Sequence, residues 1–222
     1  MSTDADVIIL GGGCAGLGLA CHLSQYGGRA PRTVVLEQRN EYRNDRTWCF
    51  WGDDAAPYAR LAGHQWRHLR VVGGGRCIDF DCGKTPYRML AADTYYAATL
   101  QAIDANPQLS LHLGHSVVSE PEYAGGVWRI ETSHGSISAG SLVDTRPKSA
   151  SEQSPALLWQ SFFGHEIETS EPVFDPLIAD LMDFPESGDH QIAFIYVLPL
   201  TATRALVEYT VFAESPLPAL AL

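Results

Sequence analysis

The first 37 residues constrain this chain more than all the rest. Val7-Ile8-Ile9-Leu10 is an unbroken apolar run, the pattern of a strand buried on both faces. It runs into Gly11-Gly12-Gly13-Cys14-Ala15-Gly16, after which Leu17, Ala20, Cys21 and Ser24 recur at helical spacing until Gly27-Gly28 stops them. A second apolar run, Thr33-Val34-Val35-Leu36, ends on Glu37, 21 residues after Gly16. Strand, glycine-rich loop, helix, strand and acid in that order form a dinucleotide-binding fingerprint. Gly11 allows the tight turn, Gly13 lets the backbone approach a pyrophosphate, and Gly16 lets helix and strand pack closely. The helix start meets the phosphates with free N–H groups and partial positive charge, so the whole run Gly11 to Gly16 is the candidate cofactor loop. Glu37 is placed to accept hydrogen bonds from the adenosine ribose. The position of the motif at the extreme N-terminus favours FAD over NAD.

Composition excludes several alternatives. The 222 residues carry 15 Lys+Arg against 26 Asp+Glu, a formal charge of −11, with 45% apolar residues. That fits neither disorder nor a basic nucleic-acid binder, and any membrane contact has to be apolar. The longest uncharged apolar run, Ile192 to Leu200, is far too short to span a bilayer. The start of the chain lacks a basic n-region, so no secretory signal is expected and a cytoplasmic location fits best. Five cysteines without a C-x-x-C pair and eight histidines without H-E-x-x-H spacing point to no disulfide framework and no metal. Oligomeric state has no signature here.

Beyond Glu37, a polar stretch from Arg39 to Arg46 is followed by Thr47-Trp48-Cys49-Phe50-Trp51. Two readings are open: a surface loop followed by core anchors, or a loop beside the flavin. In the second, Arg46 lies near a phosphate or the ring, and Trp48, Phe50 and Trp51 line an apolar pocket. His68–Val72 and Arg76–Asp81, joined by Gly73-Gly74-Gly75, predict a hairpin with alternating faces. A helix is expected over Ala91–Asp104, with Asp93 as N-cap and Tyr96, Leu100 and Ile103 on one face. Short strands are expected at Leu109–His112, Ser116–Val118, Val127–Glu131 and Ser136–Ser138, and a separate one begins at Ser141. Lys148 to Pro155 reads as a linker. In the last third, Ser161–Thr169, Ile192–Leu200 and Ala205–Phe212 read as strands. Glu208 is an acid within a run otherwise apolar or aromatic. Buried there, its pKa would rise, which suits a general acid; a place on the wet face of the strand is the alternative.

Several segments together resemble the bacterial lycopene β-cyclases, flavoproteins that form carotenoid rings. They are Val7–Gly16, Asp45-Arg46-Thr47-Trp48-Cys49-Phe50, Gly83-Lys84-Thr85-Pro86-Tyr87, Asp144-Thr145-Arg146-Pro147, Gln160–Glu166, Leu181-Met182-Asp183, Leu198-Pro199-Leu200 and Val207-Glu208-Tyr209-Thr210. The resemblance implies an α/β fold: an FAD/NAD(P)-binding Rossmann-like domain with an inserted, mainly β substrate domain, incomplete at its C-terminus. Residues 1–60 and about 85–150 would form the dinucleotide-binding part, and about 60–85 and 151–222 the β-rich substrate part.

The implied reaction is cyclisation of the ends of lycopene without net redox change. An acid protonates a terminal double bond, and FAD reduced by NAD(P)H stabilises the cation. The family's acid maps onto Glu208; its frequent second acid is replaced here by Tyr209. Trp48, Phe50, Trp51, Phe162, Phe163 and Tyr196 are candidate pocket residues by composition. An apolar carotene substrate implies peripheral membrane contact. The family's later glycine-rich loop and C-terminal helices are missing from these residues, so reduced or absent activity is expected. The competing readings are an FAD/NAD(P)H-dependent isoprenoid reductase or hydroxylase, and a non-catalytic flavin-binding remnant.

Overall fold

The computed structural model describes residues 3–147, 158–185 and 192–217; the linker-like stretch Lys148 to Pro155 lies outside them. In chain order the elements are β1 (Ala5–Leu10), α1 (Cys14–Ser24), β2 (Thr33–Leu36), β3 (Thr47–Trp51), β4 (His64–Trp66), β5 (His68–Gly73), β6 (Arg76–Asp81) and β7 (Tyr87–Ala91). There follow α2 (Ala92–Asp104), β8 (Leu109–His112), β9 (Glu122–Ala124), β10 (Val127–Thr132), β11 (Gly135–Asp144), β12 (Trp159–Glu168), β13 (Ile178–Asp183), β14 (Ile192–Pro199) and β15 (Arg204–Ala213). The chain divides into two compact units, Met1–Arg46 with Ala91–Ser149 and Thr47–Leu90 with Ala150–Leu222. Residues 47–60 and 85–90 thus group with the second unit, whereas the sequence placed them with the first. The reason is pairing: β3, β7 and β4 form one small sheet in that order.

The first unit is built on a six-stranded sheet of order β8-β2-β1-β11-β10-β9. β8, β2, β1 and the second half of β11 run parallel, and β9 and β10 extend the sheet antiparallel. Parallel strands covered on both faces need continuous apolar sequence, and Ile8, Ile9 and Leu10 are completely buried. Side chains of this size contribute about 1.5–3 kcal/mol each when fully buried. Ile8, Leu10, Leu36 and Ile130 share one apolar cluster. α1 buries Leu17 and Ala20, and α2 buries Tyr95, Tyr96, Thr99 and Ile103. The Asn106 side-chain amide donates to the carbonyls of Ser24 (3.0 Å) and Gly27 (3.1 Å), satisfying acceptors at the end of α1.

Three expectations need correction in this unit. Ser136–Ser138 and the strand beginning at Ser141 are one strand, β11. It pairs with β10 through Ala139 and with β1 from Ala139 onward, so Gly140 lies within a change of partner and breaks nothing. Ser116–Val118 contributes only a single bridge, Val117 to Thr132. Asp93 does not cap α2. The extended backbone of β7 passes directly into the helix at Ala91, which leaves Asp93 in the first turn, bonded to the Thr94 amide at 2.6 Å.

The second unit carries a six-stranded sheet of order β12-β15-β14-β13-β5-β6, antiparallel except where β13 meets β5. The expected hairpin is β5–β6, but its faces do not alternate: all six residues of β6 are exposed, because it is the edge strand. Asp79 and Asp81 are ion-paired with Arg70 (2.8 Å) and Arg67 (2.7 Å). The core holds Trp66, Leu69, Tyr87, Ala179 and Leu198, and the Trp66 indole N–H donates to the Pro199 carbonyl at 3.2 Å. Among the described residues no helix is long and apolar enough to cross a membrane.

Candidate active site

The glycine loop sits at the carboxyl ends of β1 and β2. Gly11 has φ +92°, a conformation open to glycine and strained for other residues, and its amide donates to the Leu36 carbonyl at 2.8 Å. Gly16 touches the loop so closely that a Cβ there would lie 1.9 Å from the Gly11 carbonyl oxygen. Gly13 is different: a Cβ there would meet nothing within 4 Å. Gly13 caps α1 without a side-chain hydrogen bond, no acid lies in the first turn, and Cys14 and Ala15 are exposed. Free N–H groups beside open space fit the phosphates of a dinucleotide.

Glu37 behaves differently from the expectation of a waiting ribose acceptor. It is 5% exposed. Its Oε2 accepts from the Gly12 amide (2.7 Å) and Arg39 Nη2 (3.3 Å), and its Oε1 from the Arg39 amide (2.9 Å) and Nε (3.1 Å). A carboxylate offers about four lone-pair sites, so this one is saturated, and ribose hydroxyls would have to displace Arg39. Arg39 also donates to the Gly12 carbonyl (3.1 Å) and the Tyr96 hydroxyl (3.2 Å), with its guanidinium 4.7 Å from the Tyr42 ring centroid. The Tyr42 hydroxyl donates to the Gly12 carbonyl at 2.8 Å. Arg39 and Tyr42 were not singled out from the sequence, and Tyr96 was read only as part of the apolar face of a helix. The Glu-x-Arg spacing was their only local signal, since the loop's return over Gly12 is a tertiary event. Beside them lies a cavity of about 380 Å³ lined by Arg39, Asn40, Glu41, Arg43 and Asp45. Arg46 carries an exposed guanidinium 3.4 Å from Asp45, while its backbone carbonyl accepts the first amide of α2.

Burial pushes the Glu37 carboxyl up, but the hydrogen bonds and charge of Arg39 and the Gly12 amide outweigh it, and the net pKa lies below the ordinary 4.5. A carboxyl depressed in the folded state contributes stability above its unfolded pKa and loses it as pH falls through the folded value. Stability from this pair is therefore expected to be constant near neutrality and to decline below pH 4.5. Glu37→Gln should make the acid limb of a denaturation profile shallower; an unchanged limb contradicts the assignment.

The second unit positions Glu208. Register places Gly164 on β12 and Tyr196 on β14 directly opposite Glu208 on β15, so all three share one face of the sheet. Gly164 presents no side chain on its flank. Glu208 is half-buried; burial raises its pKa, and a hydrogen bond from Thr210 at 3.3 Å opposes this. Tyr196 and Tyr87 are hydrogen-bonded through their hydroxyls at 2.7 Å, and Trp51 packs at a tilt of 46° against Tyr87 with ring centroids 4.5 Å apart. Burial pushes up the Cys49 thiol and both phenols; Glu208 adds to this for Cys49 and Tyr87.

The pocket candidates separate by strand alternation. Cys49 and Trp51 share one face of β3, so Trp48 and Phe50 lie on the other. Phe162, opposite Thr210, is on the Glu208 face, whereas Phe163, opposite Tyr209, is on the reverse. Tyr209 is on that reverse face too, so a second acid at this position would not share a site with Glu208. Cys49 and Tyr87 were missed as site residues. Alternation within Thr47–Trp51 would have paired Cys49 with Trp51, but the approach of Tyr87 depends on non-local pairing. Among the described residues, no group of three or more His, Cys, Asp or Glu is arranged to hold a metal ion.

The family model described as "Lycopene cyclase protein" matches residues 6–222. The chain belongs to the lycopene cyclase family. A curated relative, lycopene beta-cyclase of Pseudescherichia vulneris, is 26% identical over 218 residues, covering 95% of this chain and 52% of that protein. The chain thus spans about half the length of the curated relative it matches. The fold is also that of p-nitrophenol 4-monooxygenase from Pseudomonas putida DLL-E4: TM-score 0.69, 16% identity, 95% of this chain and 58% of that one. It is likewise that of a probable FAD-dependent monooxygenase from Pseudomonas aeruginosa, with TM-score 0.66, 16% identity and coverage of 93% and 60%. A halogenase solved with phloroglucinol and FAD matches at TM-score 0.65 and 12% identity, over 93% of this chain and 51% of that one. These likenesses support an FAD-binding type of α/β fold for this chain.

Proposed function

We propose that this chain carries the flavin-binding and proton-donating parts of a lycopene β-cyclase-type enzyme. The observation that carries the reading is Glu208: a half-buried carboxyl with a raised pKa, on a sheet face shared with Tyr196, in a chain of the lycopene cyclase family. The first unit is the nucleotide-binding part. Gly11 to Gly16 and the first turn of α1 would hold the pyrophosphate of FAD, with Glu37 and Arg39 at its ribose end. Reduced by NAD(P)H, FAD would supply electron density for a nearby cation. Glu208 holds a proton at its carboxyl and gives it to a terminal carbon–carbon double bond of the linear carotene. One ring-closing bond forms at the expense of the double bonds, and a proton leaves the ring carbon to a base, the role this reading assigns to the Glu208 carboxylate. Substrate and product are isomers. An apolar carotene dissolves in the bilayer, so peripheral membrane contact belongs to the same reading.

The test is the stoichiometry of reductant. With lycopene and FAD, ring formation should need reduced flavin yet consume far less than one NAD(P)H per ring. One reductant consumed per product, with a product heavier by two hydrogens or one oxygen, would instead assign an isoprenoid reductase or hydroxylase. Flavin-loaded protein without turnover on any carotene would assign a remnant.

A further inference from the structure

An acid that protonates an apolar double bond creates a full positive charge where the substrate itself offers no counter-charge. The surroundings of Glu208 have the chemistry to meet that charge. Tyr196 lies across the strand pair from it, and Tyr196 is tied to Tyr87 by the 2.7 Å hydrogen bond between hydroxyls. Three rings continue the cluster: Tyr87 to Tyr196 at 6.5 Å edge-on, Trp51 to Tyr87 at 4.5 Å, and Trp66 to Tyr87 at 6.5 Å. Trp66 is fully buried and fixes the arrangement from behind, whereas Trp51 is 54% exposed and borders the accessible side. Aromatic faces attract cations without the desolvation that a second carboxylate would require.

We infer that Tyr87 and Tyr196, with Trp51 packed at a tilt against Tyr87, form a π wall beside Glu208 that stabilises the cation produced when this carboxyl protonates an apolar polyene. The inference rests on the reading of Glu208 as the acid and adds the residues that receive the charge. Burial favours the neutral thiol of Cys49 and the neutral phenols of Tyr87 and Tyr196, so the cluster meets the cation with π faces and not with anions. Trp48, Phe50 and Phe163, equally aromatic, have no part in the wall, because alternation turns them to the other faces of their strands.

The test separates the wall from the acid by needing no turnover. In a Glu208→Gln background, dissociation constants are measured for a polyisoprenoid chain ending in trimethylammonium and for its neutral tert-butyl counterpart of the same shape. The wall predicts roughly tenfold tighter binding of the cationic ligand. Tyr196→Phe, which keeps the ring, should retain that preference, and Tyr196→Met should bring the ratio close to one. Because Tyr196 is partly buried, Trp51→Leu serves as a second variant at an exposed position and should reduce the preference severalfold with the melting curve unchanged. A ratio near one in the Glu208→Gln protein, or a preference untouched by both Tyr196→Met and Trp51→Leu, overturns the wall. The reading of Glu208 as acid stands or falls separately, on ring formation by Glu208→Gln.

Discussion

Glu208→Gln is expected to lower ring formation by a factor of about 10²–10⁴, the range typical for loss of a positioned general acid. The amide fills nearly the same volume and can still accept from Thr210, so fold and flavin content should be unchanged. A second readout follows from the raised pKa. A carboxyl whose folded pKa lies above its unfolded value contributes stability fully present below the unfolded pKa and lost as pH rises through the folded one. The neutral glutamine has no such loss, so the variant should gain stability relative to the parent on going from acid to alkaline pH. Activity of the parent should fall with rising pH over the same interval, because only the protonated carboxyl donates. Parent-level yield from Glu208→Gln would remove this residue from the chemistry.

Gly16→Ala is the other substitution with a large expected effect. A Cβ at Gly16 would stand 1.9 Å from a backbone oxygen, which cannot rotate away as a side chain can, so helix and loop must separate. The cost is expected to be about 3 kcal/mol, at the upper end for overpacking, and flavin binding should disappear with the loop geometry. Gly13→Ala is the matched control. Its Cβ would meet no atom within 4 Å, and Gly13 has an extended backbone at φ −81°. Its melting transition should therefore stay within about 0.5 kcal/mol of the parent, in the range of a surface change. If the pyrophosphate lies against Gly13, flavin affinity should still drop by an order of magnitude. Thermal melts and flavin absorbance of the purified proteins check both variants. A Gly16→Ala protein that melts with the parent, or a Gly13→Ala protein that loses stability instead of flavin, contradicts the loop geometry.

The contrast between these glycines explains what was legible in the sequence. β1, α1 and β2 follow from local pattern, because burial of parallel strands and the glycine loop both leave marks within a few residues. β14, β15 and the place of Glu208 in an apolar strand are legible for the same reason. What the sequence hides is the partner across space. Glu37 reads as a free acceptor until Arg39 folds back and saturates it. Three aromatics in four residues read as one pocket until alternation sends Trp48 and Phe50 away from Trp51. Cys49 and Tyr87 join Tyr196 and Glu208 only through pairing of strands far apart in the chain. β11 reads as two strands because it changes partner at Ala139, an event without local signature.

Deuterium uptake tests the central claim most directly. Lycopene incubated with the protein, FAD and reductant in heavy water should give a product that carries one deuteron per ring formed. The same reaction in ordinary water should give a product of unchanged mass. That outcome requires an exchangeable acid such as Glu208 to supply the proton, with no net redox change. A cyclic product free of deuterium, or one heavier by two hydrogens or one oxygen in ordinary water, would contradict it.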